Sequence, residues 1–82
     1  MVFLNNNIEY NRFQKAVQGI TVLNEKQIRK FWHKFKKGIS KNEININLFF
    51  PEFIEIIFEG QEIWILKEWV IFGENAEIKE RG

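Results

Sequence analysis

Apolar residues recur every three or four positions through the first half of the chain, then every second position through much of the second. That change of period predicts helices followed by strands. Val2, Phe3 and Leu4 read as a short strand or a buried arm. From Asn7 to Gln18, the series Tyr10, Phe13, Val17 and Ile20 marks one face of a short helix, with an Asn as N-cap and Gly19 as its stop. A second helix is expected over 25–37. Asn24 can cap it, Gln27 occupies the capping-box position, and Leu23 can staple to Ile28. Ile28, Phe31, Trp32 and Phe35 then form a single apolar stripe that ends before Gly38.

Beyond Lys41 the alternation of Ile44, Ile46, Leu48 and Phe50 with Asn45, Asn47 and Phe49 predicts a strand closed by Pro51. Residues 53–59 predict another, and Gly60-Gln61 reads as a two-residue hairpin turn with glycine first. This turn would set Phe58 opposite Ile63, Ile57 opposite Trp64 and Ile56 opposite Ile65. Residues 69–72 are expected to extend the sheet, with a last strand at 76–79. The stretch 61–72 is also apolar enough to be a helix between two glycines, and strand is the reading adopted. The expected fold is α+β, a single domain over 1–82 with two N-terminal helices packed on one face of an antiparallel β-meander.

Charge divides the chain where the period changes. Residues 1–41 hold nine Lys or Arg and two Glu, whereas residues 42–82 hold three and nine, so a formal net charge of +1 conceals a basic half and an acidic half. On the second helix, Lys26, Arg29, Lys30, His33, Lys34, Lys36 and Lys37 fill the arc opposite the apolar stripe. Like charges at i+3 and i+4 there cost the isolated helix about 1–2 kcal/mol. Such a helix calls for an anionic partner, and docking of its stripe on the sheet should point the basic face away from the acidic half. Arg29, Lys30, Lys34 and Lys37 are therefore the expected electrostatic contact set. On the sheet, Ile54, Ile56, Phe58, Ile63 and Ile65 form a uniformly apolar inner face. Phe53, Ile57, Trp64 and Leu66 share the outer face with Glu55, Glu59, Glu62 and Glu68, which reads as a second interaction surface anchored by Trp64 and including Ile57.

Candidate chemistry is sparse. Cysteine and Asp are absent, and the single His33 has no nearby carboxylate, so no nucleophile, metal site or cofactor site is expected. No apolar run is long enough for a membrane span, and Met1–Asn7 turns polar too early for a signal peptide, so a cytoplasmic protein with no membrane role is expected. These features favour a small non-catalytic protein-binding module, an inhibitor or regulatory subunit of the kind mobile elements and phages encode. It would act through the basic helix on an acidic protein surface or a nucleoprotein complex, and a homodimer joining basic to acidic faces also fits. The alternative is a nucleic-acid-binding protein using the helix at 25–37. The order of strand, two helices and antiparallel sheet also resembles small ribonuclease toxins. Those rely on basic and aromatic side chains on the sheet, where this chain offers only Lys67, Lys79 and Arg81.

Overall fold

Helix α2 (Glu25–Lys37) forms where its capping signal lies. Asn24 Oδ1 accepts from the Gln27 N–H and Gln27 Oε1 from the Asn24 N–H, both at 2.9 Å, so the first turn keeps few unpaired donors. At the other end Gly38 takes φ 119° and its N–H donates to the Lys34 carbonyl at 3.0 Å, which turns the chain toward Ile39. The structure, a computed structural model, describes residues 1–73, and the strand expected at 76–79 lies outside them.

Helix α1 (Tyr10–Ile20) starts later and ends later than the sequence pattern indicates. The asparagines are spent in a turn, where Asn5 Oδ1 accepts from the Asn7 N–H at 2.9 Å, and Glu9 caps the helix by backbone alone. Gly19 is helical and does not stop α1. Thr21 does, since its hydroxyl donates to the Val17 carbonyl at 2.9 Å and accepts from the Leu23 N–H at 3.2 Å.

The described strands are β1 (Val2–Leu4), β2 (Ile44–Ile46), β3 (Phe53–Phe58), β4 (Gln61–Leu66) and β5 (Val70–Phe72). β2, β3 and β4 form an antiparallel meander, and β1 pairs with β5 in a separate two-stranded ribbon. Residues 69–72 therefore do not extend the main sheet. A 3-10 turn over Lys67–Trp69 redirects the chain, so that Val2 pairs with Phe72 and Leu4 with Val70. Ile39 bonds the free side of Val2 through N–H···O contacts of 2.9 and 2.7 Å, which fixes β1 between the end of α2 and β5.

Two other expectations are corrected. The β3–β4 turn is Glu59-Gly60, with φ 49° and 81°, and not Gly60-Gln61. Positive φ at both central positions is the turn whose twist matches a hairpin, and glycine serves its second position. Phe58 thus faces Gln61, Ile56 faces Ile63, Ile54 faces Ile65 and Ile57 faces Glu62. The shift is by two residues, so every side chain keeps its expected face. The strand expected through Phe50 ends at Ile46 for a reason given below.

Phe13 and Val17 of α1, Ile28, Phe31 and Phe35 of α2, and Ile54, Ile56 and Ile63 of the hairpin are fully buried in one core. The two helices thus cover the inner face of an antiparallel sheet, an α+β arrangement. Phe31 lies 5.4 Å from Phe13, 5.5 Å from Phe35 and 4.9 Å from Phe58, ring centre to ring centre.

The two helix-end glycines give opposite expectations. A Cβ on Gly38 would come within 2.8 Å of the Phe3 ring at a φ that side chains avoid, whereas one on Gly19 would meet nothing within 4 Å. Gly38→Ala should lose about 1–3 kcal/mol, and Gly19→Ala should gain about 0.5–1 kcal/mol or slightly less near a helix end. Urea denaturation of the two variants checks both.

Candidate functional site

The outer face of the sheet and the turn beside it expose a group of large apolar side chains, Leu48, Phe49, Phe50 and Trp64. Its anchor is polar: Asn47, only 6% exposed, accepts at Oδ1 from the N–H of Phe49 at 2.9 Å and of Phe50 at 2.7 Å. Its Nδ2 donates to Glu55 Oε2 at 2.6 Å on the neighbouring strand. The side chain thus substitutes for ladder partners, which ends β2 and folds residues 47–50 into a turn. The alternation through Leu48 and Phe50 is real in the sequence, but this local bonding overrides it. In consequence Leu48 and Phe49 stand 86% and 87% exposed at the tip.

Behind the tip the aromatic surface continues. Phe50 and Phe53 lie 5.9 and 5.8 Å from the Trp64 ring, and Trp64 itself is 37% exposed. Trp64 sits opposite Glu55, while Ile57, half-buried, sits opposite Glu62. The expected pair of Ile57 and Trp64 is therefore diagonal on one face. Beside Trp64 a groove of about 250 Å³ runs between β4 and α1, lined by Ala16, Ile20, Phe53, Ile65, Leu66 and Trp69 as well. Ile20, which the helical pattern assigns to the core, is 53% exposed at this groove.

The basic helix differs from expectation in its electrostatics. All seven of its basic residues are exposed. Yet its face does not point wholly away from the acidic half. Lys30 Nζ lies 3.5 Å from Glu59 Oε2 at the β3–β4 turn, and Lys34 Nζ lies 3.1 Å from Glu43 Oε1. Glu43 Oε1 is shielded from water and has no aligned donor, so that contact is ionic and not a hydrogen bond. Arg29 lies 3.6 Å from Glu25 and stacks over Tyr10 at 5.0 Å, and Lys36 sits over Trp32 at 5.2 Å. Of the four expected contact residues, Lys37 alone has no such partner among the described residues. The cause is geometric: α2 crosses the hairpin close enough for long lysines at the rim of its stripe to reach back to the sheet. These exposed pairs contribute about 0–1 kcal/mol each.

The described residues hold no cluster of three or more metal-ligating side chains, and none of their helices is long and apolar enough to cross a membrane. The features that sequence reasoning missed are Asn47 and the Leu48-Phe49 tip. An Asn followed by three residues and then Pro51 is a turn signal, masked here because the same residues alternate.

Asn47→Ala would strip acceptors from two backbone donors and leave Glu55 without its partner. It should cost about 1–3 kcal/mol and speed hydrogen exchange at the Phe49 and Phe50 amides beyond the global change, as read by denaturation and amide exchange.

No protein-family model, curated protein or solved structure matches this chain, so its own geometry is the basis for any functional reading.

Proposed function

We propose that this is a small non-catalytic binding protein, an inhibitor or regulatory module, that docks a protein partner through the outer face of its sheet. One observation carries the reading. A Leu-Phe pair at 86% and 87% exposure is held on a hydrogen-bonded turn beside the Phe50–Trp64 ring pair. Large apolar groups presented together on a fixed frame and rimmed by polar residues mark an interaction surface. Aromatic anchors of this kind contribute most of the energy at protein interfaces.

This reading moves the docking surface from the basic helix to the sheet. Three of the four cations expected to meet a partner already meet carboxylates or rings of the same chain, which lowers what an external anion can gain from them. The nucleic-acid alternative loses ground for the same reason, and because no aromatic side chain on the exposed arc of α2 is placed to stack on bases. The lone histidine, His33, lies exposed on that helix and has no carboxylate partner among the described residues.

Photo-crosslinking in the source cells tests the assignment with two surface variants. Leu48→Ser/Phe49→Ser should stay within about 0.5 kcal/mol of the parent in stability and lose at least about tenfold of the crosslinked partner. Lys30→Glu/Lys34→Glu/Lys37→Glu should retain it, and the reverse pattern would return the docking surface to the helix. Fluorescence anisotropy with labelled DNA and RNA should show no binding at ~50 mM salt. Binding that falls steeply by ~200 mM and disappears in the lysine variant would favour the nucleic-acid reading.

A further inference from the structure

We propose that the edge of β4 left unpaired by the described strands is a strand-addition site for an extended partner segment in which apolar residues alternate with Lys or Arg. The inference rests on the reading of the sheet as the docking surface, and it names the kind of partner.

The backbone supplies the first argument. β4 is the last strand in the order β2-β3-β4. In an antiparallel pair, residues alternate between bonding across the ladder and bonding outward. Phe58 and Gln61 close the two-residue turn as a bonded pair, which makes Ile56 with Ile63 and Ile54 with Ile65 bonded pairs too. The Lys67 N–H donating to the Glu52 carbonyl at 2.9 Å continues the same phase. Glu62, Trp64 and Leu66 therefore direct their N–H and C=O groups away from β3, toward a side where no described strand pairs. Edges of this length are usually blunted by proline, a bulge or several charges. β4 has no proline and one charged residue.

The groove supplies the second. Trp64 and Leu66 belong to the outer face of β4 and Ile65 to the inner face, yet all three line one groove with Ala16 and Ile20 of α1. A groove bordered by both faces of a strand runs along that strand's edge. At about 250 Å³ it falls below the ~300–1,000 Å³ typical of small-molecule pockets. It suits the inward side chains of an added strand, since strand addition takes affinity from main-chain bonds and specificity from alternate side chains.

Charge selects the occupant. Glu62, on the outer face at the start of the edge, is exposed and forms no ion pair among the described residues. An outward cationic side chain of the added strand would meet it. A second copy fits less well. Antiparallel pairing of two β4 edges about Trp64 sets Glu62 opposite Leu66 of the other copy and brings no cation to either carboxylate. The Ile63 and Ile65 side chains are also already buried beneath their own helices, so they cannot fill the groove.

The test titrates the 15N-labelled full chain at ~50 mM salt with capped alternating Val-Lys and Val-Glu peptides of about ten residues. Amide spectra and hydrogen exchange are followed residue by residue. The Val-Lys peptide should slow exchange at Glu62, Trp64 and Leu66 by at least about tenfold, the Val-Glu peptide should not, and Ile20→Arg should weaken the effect at least about tenfold by filling and charging the groove. Shifts confined to residues 48–50 and the Trp64 ring, with no edge protection, would overturn strand addition and leave the docking face standing. Equal protection by both peptides would overturn the cationic assignment. No shift with either peptide would overturn strand addition, while the docking face stands or falls on the crosslinking of the Leu48→Ser/Phe49→Ser variant.

Discussion

Phe31 is where the helical and strand halves of this protein meet. Its ring touches α1 through Phe13, its own helix through Phe35 and the hairpin through Phe58, and it is fully buried. Truncating such a ring costs about 3–5 kcal/mol, against a total stability of about 4–12 kcal/mol for a domain of this size. No set of exposed ion pairs worth under about 1 kcal/mol each can offset that. Packing of the Ile28, Phe31 and Phe35 stripe therefore fixes the rotation of α2, and electrostatics must follow. The basic arc is turned outward by the stripe, yet Lys30 and Lys34, one turn apart on one edge of it, reach the turn at Glu59 and the segment at Glu43.

How far the fold could be read in the sequence follows from how local each signal is. The α2 signal lies within a dozen residues: cap, box, stripe and terminating glycine, each bonded as the pattern implies. Alternation in 53–65 is equally local, which is why both faces of the hairpin were legible even with the turn assigned one residue late. The ribbon of β1 and β5 was not legible. Its partners are the two ends of the described chain, and a three-residue strand carries no mark of which distant strand it will join. The site divides the same way. Trp64 and the carboxylates beside it follow from parity alone, whereas the projecting Leu48-Phe49 tip depends on Asn47 bonding in preference to the ladder. The groove depends on how α1 crosses β4, which the spacing of Ile20 in its helix leaves open.

A small domain cannot bury all its apolar surface, so exposure of one aromatic ring requires no special account. Leu48 and Phe49 are different. They stand almost wholly in solvent on a turn whose bonds are made by Asn47 and the backbone, so polar residues there would leave the folded state as stable and make it more soluble. Stability gives no reason for their hydrophobicity, whereas a partner that covers them does. The charges on the two surfaces point the same way. At α2, carboxylates of the same chain come to the cations. Along β4 no described cation comes to Glu62. Paired with its own copy about Trp64, that edge would set Glu62 against Leu66, whereas an added strand carrying a cation there would give the carboxylate a partner. The proposed selectivity of that edge thus rests on a carboxylate that the fold itself leaves without a described cation.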